Sequence, residues 1–223
     1  MTDKPIIFSA PMVRALLDGS KTQTRRILKP QPDHGELQGW LLDTNEILFG
    51  HSTLTRHCQR IKLPIREGDR LWVRENFQAH SWAADCVTIR YFAEIRTKGF
   101  TDQIEQIKYP DGDRNAFKYI APKGPDTWRP SIHMPRWASR LTLAVTDVRV
   151  ERLQDISKED ALAEGVHPDL CPDEPRKVFA ENMPAHLFGM LWESINGVGS
   201  WDQNPWVIAY TFTVEKRNID QCA

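Results

Sequence analysis

No apolar run in this chain exceeds about five residues, whereas a helix that crosses a bilayer needs about twenty. A membrane-spanning helix is therefore excluded, and no membrane partner is expected. No Cys-x-x-Cys pair occurs either. Cys58, Cys86, Cys171 and Cys222 stand apart, which reads as reduced thiols rather than a disulfide framework. A basic excess is also missing: 29 Lys and Arg face 30 Asp and Glu, for a net charge of −1. A surface that grips long nucleic acid by charge alone usually shows such an excess. There is no glycine-rich phosphate loop and no regular alternation of strand and helix, so the doubly wound nucleotide-binding folds drop out. Internal repeats and low-complexity stretches are absent. Met1 to Pro5 lead directly into Ile6-Ile7-Phe8 without a basic region and a long apolar stretch, so no secretion signal and a cytoplasmic location are expected.

What is present is enough for one core. Of 223 residues 40% are apolar and 26% charged, which suits a single globular domain over 1–223 with insertions at about 30–67 and 96–136. Ile6-Ile7-Phe8 reads as a short strand. Ser9 is placed to cap a helix with Pro11 in its first turn, an apolar stripe at Val13, Leu16 and Leu17, and a stop at Gly19. Thr22 to Leu28 reads as a polar strand ended by Pro30 and Pro32. Residues 33–67 read as irregular. Leu71 to Glu75 and Val87-Ile89-Tyr91 read as strands, and 96–136 as a long excursion or lid.

Arg140 to Leu153 is the longest strand signal. Leu141, Leu143 and Val145 share one parity and Val148 and Val150 the other, which predicts a bulge or bend near Thr146-Asp147. Ser157 opens a capping-box helix that Gly165 closes. A largely helical stretch from Pro175 to Trp192 is broken at Met183-Pro184. Trp206, Ile208, Tyr210, Phe212 and Val214 alternate strictly in a closing strand with one buried face. The expected class is α+β with a curved or closed sheet.

Chemistry concentrates at the junction after the first helix. Thr22, Thr24 and Arg26 share one face of the strand, Gln23 and Arg25 the other, and Lys21 lies in the turn where its side chain reaches over the sheet end. By spacing alone this is either a polar pocket or a solvated edge strand. Glu75 ends a face that is otherwise apolar, so it needs a cationic partner, with Lys21 or Arg26 as candidates. Glu164 closes a short helix, where its charge opposes the helix dipole. Trp128 to Trp137 combine aromatics, arginines and His133, the side chains that stack on bases, or else two tryptophans that plug a barrel end. Gly199 to Trp206 reads as a packed structural turn. His51, His57 and Cys58 offer a weak zinc-like cluster against a solvated loop.

The motif Gly19-x-Lys21-Thr22-x-Thr24-x-Arg26 resembles the signature of the ASCH family. Gly68-Asp69-x-Leu71-Trp72-Val73-Arg74-Glu75, Ile156-Ser157-x-Glu159-Asp160-Ala161-x-x-Glu164-Gly165, Leu191-Trp192-x-x-Ile195-Asn196-Gly197 and Trp201-x-x-Asn204-Pro205-Trp206-Val207 are similar to the longer ASCH proteins of phages and prophages. The resemblance implies a small PUA-like β-barrel with flanking helices. By similarity to the small bacterial 4-acetylcytidine amidohydrolases it implies Lys21, Thr24 and Glu164 as catalytic residues, converging within about 5 Å. Arg26, Glu75, Trp128, His133 and Trp137 are the expected substrate-binding residues. The expected activity is hydrolysis of an N-acylated nucleoside with no metal or organic cofactor. The alternatives are a non-catalytic module that binds RNA, single-stranded nucleic acid or a modified base, and a ribonuclease. Those amidohydrolases are about half as long as this chain, so the insertions bear on the substrate.

Overall fold

The computed structural model describes residues 2–33, 36–50, 58–82, 86–94, 104–108, 123, 127–166 and 183–222. Strand β1 (Asp3–Ile7) leads into helix α1 (Ala10–Asp18). Ser9 occupies the N-cap position but makes no capping hydrogen bond; Pro11 in the first turn and the buried stripe at Val13 and Leu16 define the helix instead. Gly19 takes a left-handed φ of 84°, which ends it.

Strands β2 (Gln23–Ile27), β3 (Glu36–Leu41), β4 (Glu46–Gly50), β5 (Gln59–Lys62) and β6 (Arg70–Arg74) follow. Next come β7 (Phe77–Trp82), β8 (Cys86–Tyr91), β9 (Ile104–Lys108) and β10 (Trp128–Arg129). The chain then runs through β11 (Thr142–Arg152), helices α2 (Lys158–Ala163) and α3 (Met183–Asn196), and β12 (Trp206–Glu215). This is a mixed α+β protein, rich in strands and poor in helices. No described helix is long and apolar enough to cross a membrane.

Two compact units divide the chain: residues 1–20, 69–144 and 213–223 form one, and 21–68 and 145–212 the other. In the first, β1 pairs in parallel with β6, which pairs antiparallel with the start of β11. A four-stranded sheet in the order β10-β7-β8-β9 packs Phe77, Val87, Ile89 and Tyr91 against Met134 and Ala138.

In the second unit, β2 lies beside β12, and β12 beside the rest of β11. Its core gathers Leu153, Ile156, Ala161, Leu187, Phe188, Trp192 and Val207. The burial pattern of β11 changes parity at two consecutive exposed residues, Thr146 and Asp147, so the expected bend lies where the apolar pattern placed it.

Residues 33–67 are not irregular. They contain a three-stranded antiparallel sheet, β3-β4-β5. The alternation was obscured because β3 shifts register between Leu37 and Gly39. Ile47 and Phe49 are its buried contribution, and Phe49 meets the Trp206 ring edge-on with centroids 4.9 Å apart. Strand β7 escaped the sequence pattern for the same reason, with a register shift between Ala79 and Ser81.

Among the described residues, helix α3 runs from Met183 through Pro184 to Asn196. The expected helix from Pro175 up to Met183 lies outside the described residues, as does most of 96–126.

Candidate functional site

After the left-handed turn at Gly19 the chain enters the second unit at Lys21 and runs into β2, beside the end of α2. Thr22 N–H donates to the Ala163 carbonyl at 2.8 Å, and Lys21 and Glu164 form an isolated antiparallel bridge. Ser157 caps α2 by accepting from the Asp160 N–H, and Gly165 turns out of it with φ 81°. These local signals set Lys21 and Glu164 side by side although 143 positions separate them.

Lys21 is fully buried, at 0% exposure, and Glu164 is 4% exposed. Lys21 Nζ donates to Glu164 Oε2 at 2.7 Å and to the Glu164 main-chain carbonyl at 2.9 Å. The other carboxylate oxygen accepts from Arg25 Nη1 at 3.3 Å. Glu164 is thus no solvated helix-end residue: two cations offset the unfavourable helix dipole. Burial is the largest influence on Lys21 and lowers its pKa. Glu164 opposes that shift, Arg26 and Arg25 reinforce it, and the net direction is downward.

Around this pair lies an ionic network. Arg25 donates to Glu151 at 2.9 and 2.6 Å and to Asp160 at 2.8 Å. Asp160 also accepts from Gln23 and from Arg149. Burial alone would raise the Asp160 pKa, but the hydrogen bonds from Arg149 and Gln23 and the Arg25 charge together hold it below the usual value.

Lys21 and Arg25 meet on one carboxylate, so the odd-numbered residues here share a face. Alternation puts Thr24 and Arg26 on the other. There Thr24 is buried and lies directly opposite Tyr210 of β12, with Arg26 opposite Ile208. Arg26 lies in electrostatic range of Lys21, Glu164 and Tyr210, which links the two faces at the strand end. Lys21 and Glu164 of the expected constellation therefore form a direct ion pair, while Thr24 lies on the other face of β2, opposite Tyr210.

Tyr210 was missed as a candidate. Its hydroxyl is buried and has no hydrogen-bond partner among the described residues, and burial raises its pKa. The signal was available: one hydroxyl on a strand face otherwise made of Trp206, Ile208, Phe212 and Val214.

Glu75, Trp128, His133 and Trp137 belong to the first unit. The guanidinium that answers Glu75 is Arg140, which the sequence reading had not considered. Its Nε and Nη2 bond the two carboxylate oxygens at 2.9 and 3.2 Å, and the guanidinium stacks 4.0 Å from the centre of the Tyr91 ring. This is a buried ion pair. Trp137 is half-buried against the Phe77 core cluster. Trp128 is 37% exposed and meets Phe92 edge-on, and His133 is exposed in a short 3-10 turn.

The loop before β12 is a packed turn. Trp201 lies against Phe188, and the Asn204 side chain accepts from the Gln154 N–H. Of the zinc-like cluster, His51 and His57 lie outside the described residues, and Cys58 is half-buried. No group of metal-ligating side chains occurs among the described residues.

No family model, no curated protein and no solved structure matches the chain.

Proposed function

We propose that this chain is an ASCH-type, PUA-like protein that hydrolyses the exocyclic amide of an N-acylated nucleoside such as 4-acetylcytidine. The observation that carries the reading is the fully buried Lys21 in contact with Glu164, at the end of the strand that bears Thr24. A threonine hydroxyl needs a base, and a lysine serves as one only when neutral. Burial, which lowers the Lys21 pKa, favours that neutral form.

Thr24 Oγ1 attacks the acyl carbon while its proton passes to neutral Lys21 Nζ around the strand end, where Arg26 lies in electrostatic range of Lys21, Glu164 and Tyr210. The C–N bond then breaks, and Lys21 returns the proton to the departing amine. Water then attacks the acyl-threonine carbon, giving a proton to the again neutral Lys21; the C–Oγ1 bond breaks, Lys21 returns that proton to Thr24 Oγ1, and the carboxylic acid leaves. Glu164 orients Lys21 throughout.

The test is acetate release from 4-acetylcytidine by the purified protein, followed with a panel of N-acylated nucleosides. Release that disappears in Thr24→Ala supports the reading. Absence of turnover across the panel rejects it.

One observation favours a second reading, in which the same residues bind a modified base without chemistry. Lys21 Nζ is engaged by two acceptors of Glu164, an arrangement also suited to a fixed structural charge. That reading predicts nucleoside binding without turnover.

A further inference from the structure

A buried hydroxyl without a partner loses its bonds to water and gains nothing in return, a cost of about 1–3 kcal/mol. Folded proteins rarely retain such groups, and each one calls for an explanation. Tyr210 is such a group: the residue is 1% exposed and its hydroxyl has no partner among the described residues. Its neighbours give the explanation a direction. Thr24, the proposed nucleophile, is its cross-strand partner in the β2–β12 ladder, and Arg26 follows on the same face of β2. Residues directly opposite in an antiparallel pair carry their side chains on one face with Cβ atoms about 4.5–5.5 Å apart. Two hydroxyls and a guanidinium therefore project from one patch of one sheet. The rest of that face on β12, Ile208 and Phe212, is apolar and buried.

We propose that Tyr210 is a substrate-binding residue whose hydroxyl donates a hydrogen bond to the acyl oxygen of the bound amide. This deepens the proposed hydrolysis, and rests on Thr24 being the attacking group. When Thr24 Oγ1 adds to the acyl carbon, the C=O π electrons move onto the acyl oxygen, and the Thr24 proton goes to Lys21. The negative oxygen needs donors beside the nucleophile. Tyr210 supplies one and Arg26, on the same face, adds positive charge. Burial keeps the phenol protonated, so it donates without titrating.

The substrate class narrows accordingly. The phenol and guanidinium select a planar, uncharged acylamino group presenting one carbonyl oxygen. The free amine product lacks that oxygen and binds more weakly.

The test is Tyr210→Phe, compared with wild type and Thr24→Ala in turnover, nucleoside binding and thermal unfolding. If the hydroxyl is reserved for substrate, Tyr210→Phe keeps or raises the melting temperature. In an active wild type, kcat then falls about 10²–10³-fold with KM little changed, because the bond is strongest at the oxyanion. An unchanged kcat overturns the role of Tyr210 and leaves the hydrolase reading standing. A lowered melting temperature overturns it as well, since the hydroxyl is then serving the fold. If the wild type binds 4-acetylcytidine but does not cleave it, the hydrolase reading falls. Loss of at least about tenfold affinity in Tyr210→Phe, which is about 1.4 kcal/mol, then sustains Tyr210 as the ligand contact, and unchanged affinity rejects it. A wild type that neither cleaves nor binds the panel overturns both.

Discussion

Lys21 and Glu164 touch twice: Nζ reaches the carboxylate at 2.7 Å and the main-chain carbonyl of the same residue at 2.9 Å. The second contact ties the ammonium to the end of α2 itself, so the lysine is positioned by the backbone as well as by charge.

The first prediction concerns this lysine. Its folded-state pKa lies below the ordinary 10.5. Between those two values the unfolded chain binds more protons than the folded one, so stability attributable to Lys21 rises with pH across that window. Urea unfolding from neutral to alkaline pH is expected to show this rise in wild type and to lose it in Lys21→Met. Parallel profiles for the two proteins would mean that Lys21 titrates alike in both states.

Asp160 gives the opposite case. Its folded pKa is held below the ordinary 3.8. Its contribution is complete above the unfolded value and is lost as pH falls through the lower folded one. Acid unfolding of Asp160→Asn is expected to have a shallower slope below pH 3.8. An acid limb identical to wild type would contradict it.

Glu75 and Arg140 form a buried pair at 2.9 Å in the first unit. Removing one partner leaves an uncompensated buried charge, so Glu75→Ala is expected to cost about 3–5 kcal/mol in equilibrium unfolding. Replacing both together, Glu75→Leu with Arg140→Met, is expected to cost less than the single change. A melting temperature insensitive to Glu75→Ala would show that the pair is solvated.

The catalytic series separates roles. Thr24→Ala is expected to abolish acetate release and Thr24→Ser to retain part of it. Lys21→Ala should lower the rate about 10²–10⁴-fold, the worth of general-base assistance. Glu164→Gln should lower turnover more than affinity. Because the neutral lysine is the active form, wild-type kcat/KM should climb with pH toward the lowered Lys21 pKa. A rate that falls over that range would assign the base elsewhere.

Patterns that depend on near neighbours were legible in the chain. Gly19 ends α1, Ser157 caps α2, β11 changes parity at Thr146-Asp147, and β12 alternates, because each needs only local backbone preference or a two-residue period. The faces of β2 followed from the same period, and the buried polar network confirms that Gln23 and Arg25 point together. Bulges hid β3 and β7, since one extra residue inverts the alternation on which strand recognition rests. Pairing was beyond local pattern. Arg140 answers Glu75 across 65 positions, and Glu164 meets Lys21 across 143. Spacing identified a charge in need of a partner, and only the folded chain chose it. Tyr210 was named only as one alternating strand residue; what singles it out is a hydroxyl buried without a partner among the described residues, and burial is decided by what the whole unit packs around it.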